Sequence, residues 1–172
     1  MTAREPAETT NISRYEPEAL PWSRAAAALD VPPDKLLTWF LGTVRPDGRP
    51  HAAGVGALYL DGDLWFTSSP RARKARNLAE NPRATISVSL EGIDLVLEGT
   101  ATKVTDQPTL EKLAARYRDG GWPAEVEGAA FTAPFNAPSA GPPPWELYRL
   151  RLETVFGVAS AEPYGASRWR FG

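Results

Sequence analysis

Thr67 and Ser68 close a short apolar run that begins at Leu64, and the cations Arg71, Arg73, Lys74 and Arg76 follow on a segment that ends at Asn81-Pro82. Hydroxyls at a strand end, free amides at a helix start and clustered cations together suit a bound phosphate. Charge runs of this kind are more often solvated faces, so the residues by themselves leave a phosphate anchor and a plain basic helix both open. Along the segment, Ala72, Ala75, Leu78 and Ala79 recur at helical spacing and form a narrow apolar stripe. Arg73, Arg76 and Asn77 fall on the opposite side, with Lys74 at the margin.

A second stretch is notable for what it lacks. Ala52, Ala53, Gly54, Val55, Gly56 and Ala57 sit in a run of β character, His51–Leu60, with almost no side-chain bulk. Glycine weakens a strand and marks places where something approaches the backbone closely. A flat ring lying against the strand would need that bareness; a crowded barrel interior or a tight subunit contact would need it equally. The third feature is the end of the chain, Ser167-Arg168-Trp169-Arg170-Phe171, where two arginines flanking a tryptophan suggest docking onto something.

Composition removes several other chemistries. The chain has 172 residues and no cysteine, so disulfides, thiolate metal sites and thiol nucleophiles are excluded. A single histidine, His51, makes an all-histidine metal site within one subunit untenable and has no readable Ser and Asp partners for a triad. A net charge of −2 argues against nucleic acid as the partner and makes the basic segment a local feature. No apolar run approaches the ~20 residues of a membrane helix, and no signal-peptide core is visible, so a cytoplasmic protein without membrane attachment is the expectation.

The elements that must position these residues read as a small β domain. Residues 1–20 are expected to be a flexible arm, and residues 21–172 a single domain. Pro21–Leu29 predicts a short helix, with Trp22 packed under the sheet. Leu36–Val44 and His51–Leu60 form a hairpin across the turn Arg45-Pro46-Asp47-Gly48, in which proline presets φ and Asp-Gly permits positive φ. Strands follow over Leu64–Thr67, Ala84–Leu90, Ile93–Val104 and Trp145–Val158, with a helix over Pro108–Arg118 capped by Thr105 or Asp106. The Gly/Pro/Ala-rich span Asp119–Pro144 is long for a compact domain and reads as a lid or a mobile segment. About six short strands at hairpin spacing with a few helices predict a mainly β fold, a small antiparallel barrel with peripheral helices.

The segments Trp39–His51, Leu64–Thr67, Arg73–Leu78 and Asn81–Arg83, in that order and spacing, resemble the pyridoxamine 5′-phosphate oxidase-like split β-barrel superfamily, and the closing Ser167–Phe171 is similar to the tail of its flavin or deazaflavin branch. The resemblance covers Lys35 to Phe171. It implies a split β-barrel, FMN-binding fold and a homodimer holding two flavin-type cofactors, FMN or coenzyme F420, between subunits. It implies cofactor contacts from Thr67 and Ser68, a phosphate grip by Arg73 and Lys74 with Asn77 nearby, a ring-lining strand at Gly54, Val55, Gly56 and Ala57, and a tail, Arg168 and Trp169, that reaches the partner's cofactor.

Two departures stand out: the oxidase proper carries an Arg and a Lys on the second strand and a late Arg-x-His motif, and neither is present here. The resemblance therefore implies hydride transfer between cofactor and a small organic substrate, with the cofactor doing the chemistry and the protein holding it. A non-catalytic flavin-binding protein and a haem-binding split barrel remain as alternatives. No catalytic side chain is assignable.

Overall fold

The computed structural model describes residues 4–32, 35 and 37–172. In chain order the elements are β1 (Glu8–Asn11), α1 (Trp22–Leu29), β2 (Trp39–Val44), β3 (Pro50–Val55), β4 (Leu58–Leu60), β5 (Asp63–Ser68), α2 (Arg73–Glu80), β6 (Arg83–Leu90) and β7 (Ile93–Val104), followed by α3 (Gln107–Asp119), β8 (Glu125–Glu127), β9 (Ala130–Thr132), β10 (Glu146–Ala159) and β11 (Ala166–Arg170). The fold is a mainly β split barrel with, among the described residues, three peripheral helices. One antiparallel sheet runs β1-β11-β10-β7-β6-β2-β3, and β5 joins it through β10 while β4 pairs with β5.

Two features produce the split. The long strand β10 pairs with β7 along one edge; its other edge is shared by β5, against Glu146–Leu150, and β11, against Thr154–Val158. A register shift between Leu152 and Thr154 separates the two halves, as a β-bulge does when it bends a strand. At the far end β3 pairs, among the described residues, with β2 alone, which leaves one edge of its backbone free there.

Alternation sorts the side chains. Trp39, Leu41, Ile86, Leu97, Leu95 and Val155 point inward and are buried, while Phe40, Val96 and Val158 stand on the outer face and are 51%, 38% and 54% exposed. A smaller cluster, Leu110, Leu113, Ala114, Tyr117, Phe131 and Leu147, packs α3 and the β8–β9 hairpin onto β5 and β10. Asp106 caps α3 by accepting from the Thr109 amide at 3.0 Å. No helix among the described residues is long and apolar enough to cross a membrane.

Several expectations are corrected. The N-terminal arm is docked and not free: β1 pairs with β11 from Glu8↔Arg170 to Asn11↔Ser167. Arg4 reaches the buried Asp63 at 3.5 Å, a carboxylate that also accepts from Arg149 and the Leu152 amide. The run 51–60 is broken at Gly56-Ala57 into β3 and β4, which pair with different neighbours. The loop expected over 119–144 contains the β8–β9 hairpin. Leu36, expected to open the second strand, lies outside the described residues.

Trp22 is buried, as expected of a packing residue, and meets Trp169 and Phe171 edge-on at 5.5 and 4.9 Å. Gly157 is required by that arrangement, since a Cβ there would stand 2.6 Å from the Trp169 ring.

Candidate functional site

A cleft opens where the free edge of β3 faces the C-terminal end of β5. Its walls are Gly54, Val55 and Gly56 on one side, Thr67, Ser68 and Ser69 with Lys74 on another, and Asn136, Ala137 and Ser139 from the long loop across the top. The enclosed volume is about 340 Å³. Gly56, Thr67, Asn136 and Ala137 also border an adjoining chamber of about 390 Å³, whose remaining walls are the aromatic rings of Tyr117, Trp122 and Phe135. Polar groups therefore gather at one end and rings at the other.

Local physics explains the arrangement. β5 is buried along most of its length, so it delivers Thr67 and Ser68 at a fixed height before the chain turns through Pro70 into α2. The N-cap position of α2, Ala72, offers no side-chain acceptor, which leaves the first-turn amides for another partner. The loop is fixed at its root by an aromatic cluster, in which Trp122 meets Tyr117 and Trp145 edge-on and its indole N–H donates to Phe135 O at 2.7 Å. Tyr117 donates to Gly56 O at 3.3 Å, tying α3 to the break between β3 and β4. Burial raises the Tyr117 phenol well above its ordinary range, so it stays a neutral donor.

The electrostatics are one-sided. Burial pulls the Lys74 ammonium below its ordinary value, and the ion pairs among the described residues include none of Arg73, Lys74 or Arg76. A half-buried cation without a carboxylate is an unfavourable arrangement unless an anion arrives. Trp145, on the cleft wall, has an indole N–H that is buried without a partner.

Of the residues singled out from sequence, Gly54, Val55, Gly56, Thr67, Ser68 and Lys74 line this one cleft. Arg73 precedes Lys74 in the first turn of α2 and is exposed. Ala57 is buried and borders a separate, smaller cavity behind the strand. Asn77 is not on the solvent side of the helix: it is fully buried and its Nδ2 donates to Thr43 Oγ1 at 2.9 Å.

Trp169 is likewise fully buried, in the core of its own chain, with its indole donating to Leu20 O at 3.2 Å. Arg168 points outward and bonds Thr10 and Glu8 at 3.2 and 3.4 Å. The register carries Gly54, Phe40, Ser87, Val96, Phe156 and Arg168 in one row across the outer face. Counted along the sheet, five strand spacings of about 4.8 Å separate Arg168 from Gly54. Neither tail residue touches the cleft of its own chain. Sequence reasoning missed Ser69, Asn136, Ser139 and Trp145; the hydroxyl run continuing from Ser68 was a signal for the first, while nothing in the Gly/Pro-rich span marked the others.

Comparison with known proteins fits this geometry. The sequence profile of pyridoxamine 5′-phosphate oxidase matches residues 32–159. The chain belongs to that family. Within it, the chain is 34% identical over 154 residues to a pyridoxine/pyridoxamine 5′-phosphate oxidase of Acidothermus cellulolyticus, covering 78% of this chain and 68% of that one. Among solved structures, an FMN-binding, pyridoxamine 5′-phosphate oxidase-related protein of Nostoc punctiforme superposes with a TM-score of 0.56 at 22% identity, over 86% of this chain and 88% of that one. An F420 reductase superposes with a TM-score of 0.50 at 25% identity, over 75% and 93%. The family is one of oxidoreductases; of the two solved relatives, one is named for binding FMN and the other as an F420 reductase.

The residues present fit such a group. A Cβ built on Gly54 or Gly56 meets nothing within 4 Å, so both glycines front open space where a planar ring can lie against bare backbone. Lys74, in no ion pair among the described residues, and the three hydroxyls line the same cleft and suit a phosphate.

Proposed function

We propose that this chain is an oxidoreductase that holds FMN or coenzyme F420 in the cleft between β3 and β5, acts on a small organic substrate, and works as a homodimer. When bound, the cofactor ring would supply the hydride chemistry. Lys74 and Arg73, with Thr67, Ser68 and Ser69, would hold the phosphate end. The edge of β3 at Gly54–Gly56 would carry the ring, and its outward N–H and C=O groups are the donors and acceptors available to it. The chamber of Tyr117, Trp122 and Phe135 would receive a flat, uncharged part of the substrate, because it contains no charged side chain.

The observation that carries this reading is the cleft itself: bare backbone, hydroxyls and a cation in no ion pair among the described residues line one space. The second subunit is supported by the outer face of the sheet. Phe40, Val96, Phe156 and Val158 form a partly exposed apolar groove there. Arg168 stands on that same face and does not line its own cleft, which favours a partner's cofactor as what it would reach. Vitamin B6 phosphate oxidation is disfavoured as the specific reaction, since Ala52, Ala53 and Leu58 give a second phosphate no cation to meet. Parallel equilibrium titrations with FMN and F420, followed by fluorescence, test the reading. Saturable binding of one of them supports it, and absence of binding by both refutes it.

A further inference from the structure

The β2–β3 hairpin brings two more basic groups beneath the first turn of α2. Thr43 and His51 are cross-strand partners, and the two-residue period puts both side chains on the face that carries Leu41 and Ala53. The buried Asn77–Thr43 hydrogen bond pins α2 over that pair. Arg73 and Lys74 precede Asn77 by four and three positions, which places them one turn along the same side of the helix. Arg45 follows β2 directly, at the mouth of the hairpin, where its amide donates to Arg49 O at 2.9 Å.

Two atoms in this cluster are buried without a hydrogen-bond partner, Arg45 Nε and His51 Nδ1. Buried polar atoms in a working protein have partners, so each such orphan calls for one. None of Arg45, Arg73 or Lys74 takes part in an ion pair among the described residues. The nearby carboxylate on the hairpin, Asp47, is held by Arg49 at 2.7 Å. On its other side His51 borders a groove carrying Arg83, Glu98 and Glu153, where Glu153 is already bound by Arg83 and Thr100. Burial holds the imidazole below its ordinary value, and the charges that add to this are Arg45, Lys74 and Arg73; no carboxylate opposes them.

We infer that Arg45 and His51 join Arg73 and Lys74 in a single anion site, and that this site takes a terminal phosphate dianion, with His51 protonated in the bound state. The inference rests on the cofactor reading above and narrows it. Three fixed positive charges in no ion pair among the described residues exceed what a phosphodiester, with one negative charge, can balance. A phosphomonoester is mainly dianionic at neutral pH, its second pKa being about 6. The same dianion opposes the field of those cations, which adds to burial in disfavouring the proton on His51. FMN ends in such a phosphate, whereas the phosphate of F420 is an internal diester, so the site favours FMN.

His51 is the only histidine in the chain, so its ring Cε1–H signal needs no assignment. The test is an NMR pH titration of untagged protein alone, with FMN, and with riboflavin, which lacks the phosphate. The expected midpoint is below the ordinary ~6.5 in the free protein, rises by a unit or more with FMN, and stays put with riboflavin. Between the free and bound midpoints FMN affinity falls by up to about tenfold per pH unit, the linkage of one proton taken up on binding. Arg45→Met weakens FMN by about tenfold or more and leaves riboflavin alone. His51→Gln flattens the pH profile; if that variant does not fold, the wild-type titration decides.

FMN binding with an unmoved His51 midpoint and an indifferent Arg45→Met overturns the inference while the cofactor reading stands. F420 binding more tightly than FMN overturns it too. Binding of neither cofactor overturns both.

Discussion

Lys74 gives the sharpest single perturbation, because its effects on the free and loaded protein have opposite signs. In the free protein it is a half-buried ammonium whose pKa is lowered by burial and which has no ion pair among the described residues. Because the folded state disfavours its proton, the cost of keeping it charged is present at neutral pH and is relieved only as pH rises through its lowered value. Lys74→Met keeps the length of the side chain and removes that cost, so the free protein is expected to melt at the same temperature or higher. Cofactor binding should move the other way. A charge-assisted hydrogen bond contributes about 1.5–3 kcal/mol, which corresponds to roughly 10- to 150-fold in affinity. Thermal melting without ligand and a fluorescence titration with FMN read the two effects separately. A destabilised free protein with unchanged FMN affinity would refute the reasoning, because it would make Lys74 a structural residue.

Gly54→Val should leave folding intact, since a Cβ there meets nothing within 4 Å, and should stabilise the strand by about 0.5–1 kcal/mol while blocking the ring; a melt and a titration on one preparation check both. Trp169→Ala should cost about 3–5 kcal/mol by opening a cavity beneath α1, measured by urea unfolding, whereas a mere docking residue would cost little. Phe40→Glu, on the exposed outer face, should give a monomer in light scattering with an unaltered far-UV spectrum. A dimer that survives that change would move the interface elsewhere.

The strands were legible because each keeps one face dry. Ile86 and Val88 against Thr85, Ser87 and Ser89 announce a half-buried strand, and β6 is that strand. The polar end of the cleft was legible because Thr67, Ser68 and Lys74 are close in sequence and a strand end feeds a helix start. The errors arose where tertiary contacts overruled local pattern. Asn77 sits among cations on a helical wheel, yet its amide is drawn inward by Thr43, a partner from a distant strand. The polar arm looked free because its order comes from backbone pairing with β11, to which side-chain type contributes little. Trp169 looked like a docking residue because it lies at the chain end, but Trp22 and Phe171 enclose it. The loop residues Asn136 and Ser139 were illegible for a related reason: what carries them to the cleft is the packing of Trp122 against Tyr117 and Trp145, three segments that share no sequence pattern.

The central claim is that a flavin-type cofactor lies in the cleft between β3 and β5 with its phosphate at α2. Side-by-side titration of FMN and F420 against the wild-type chain and an Arg73→Ala/Lys74→Ala double variant tests it most directly. Saturable binding to the wild type, lost or weakened by several kcal/mol in a double variant that still folds, is the predicted result. Equal affinity in both proteins, or no binding to either, would contradict it.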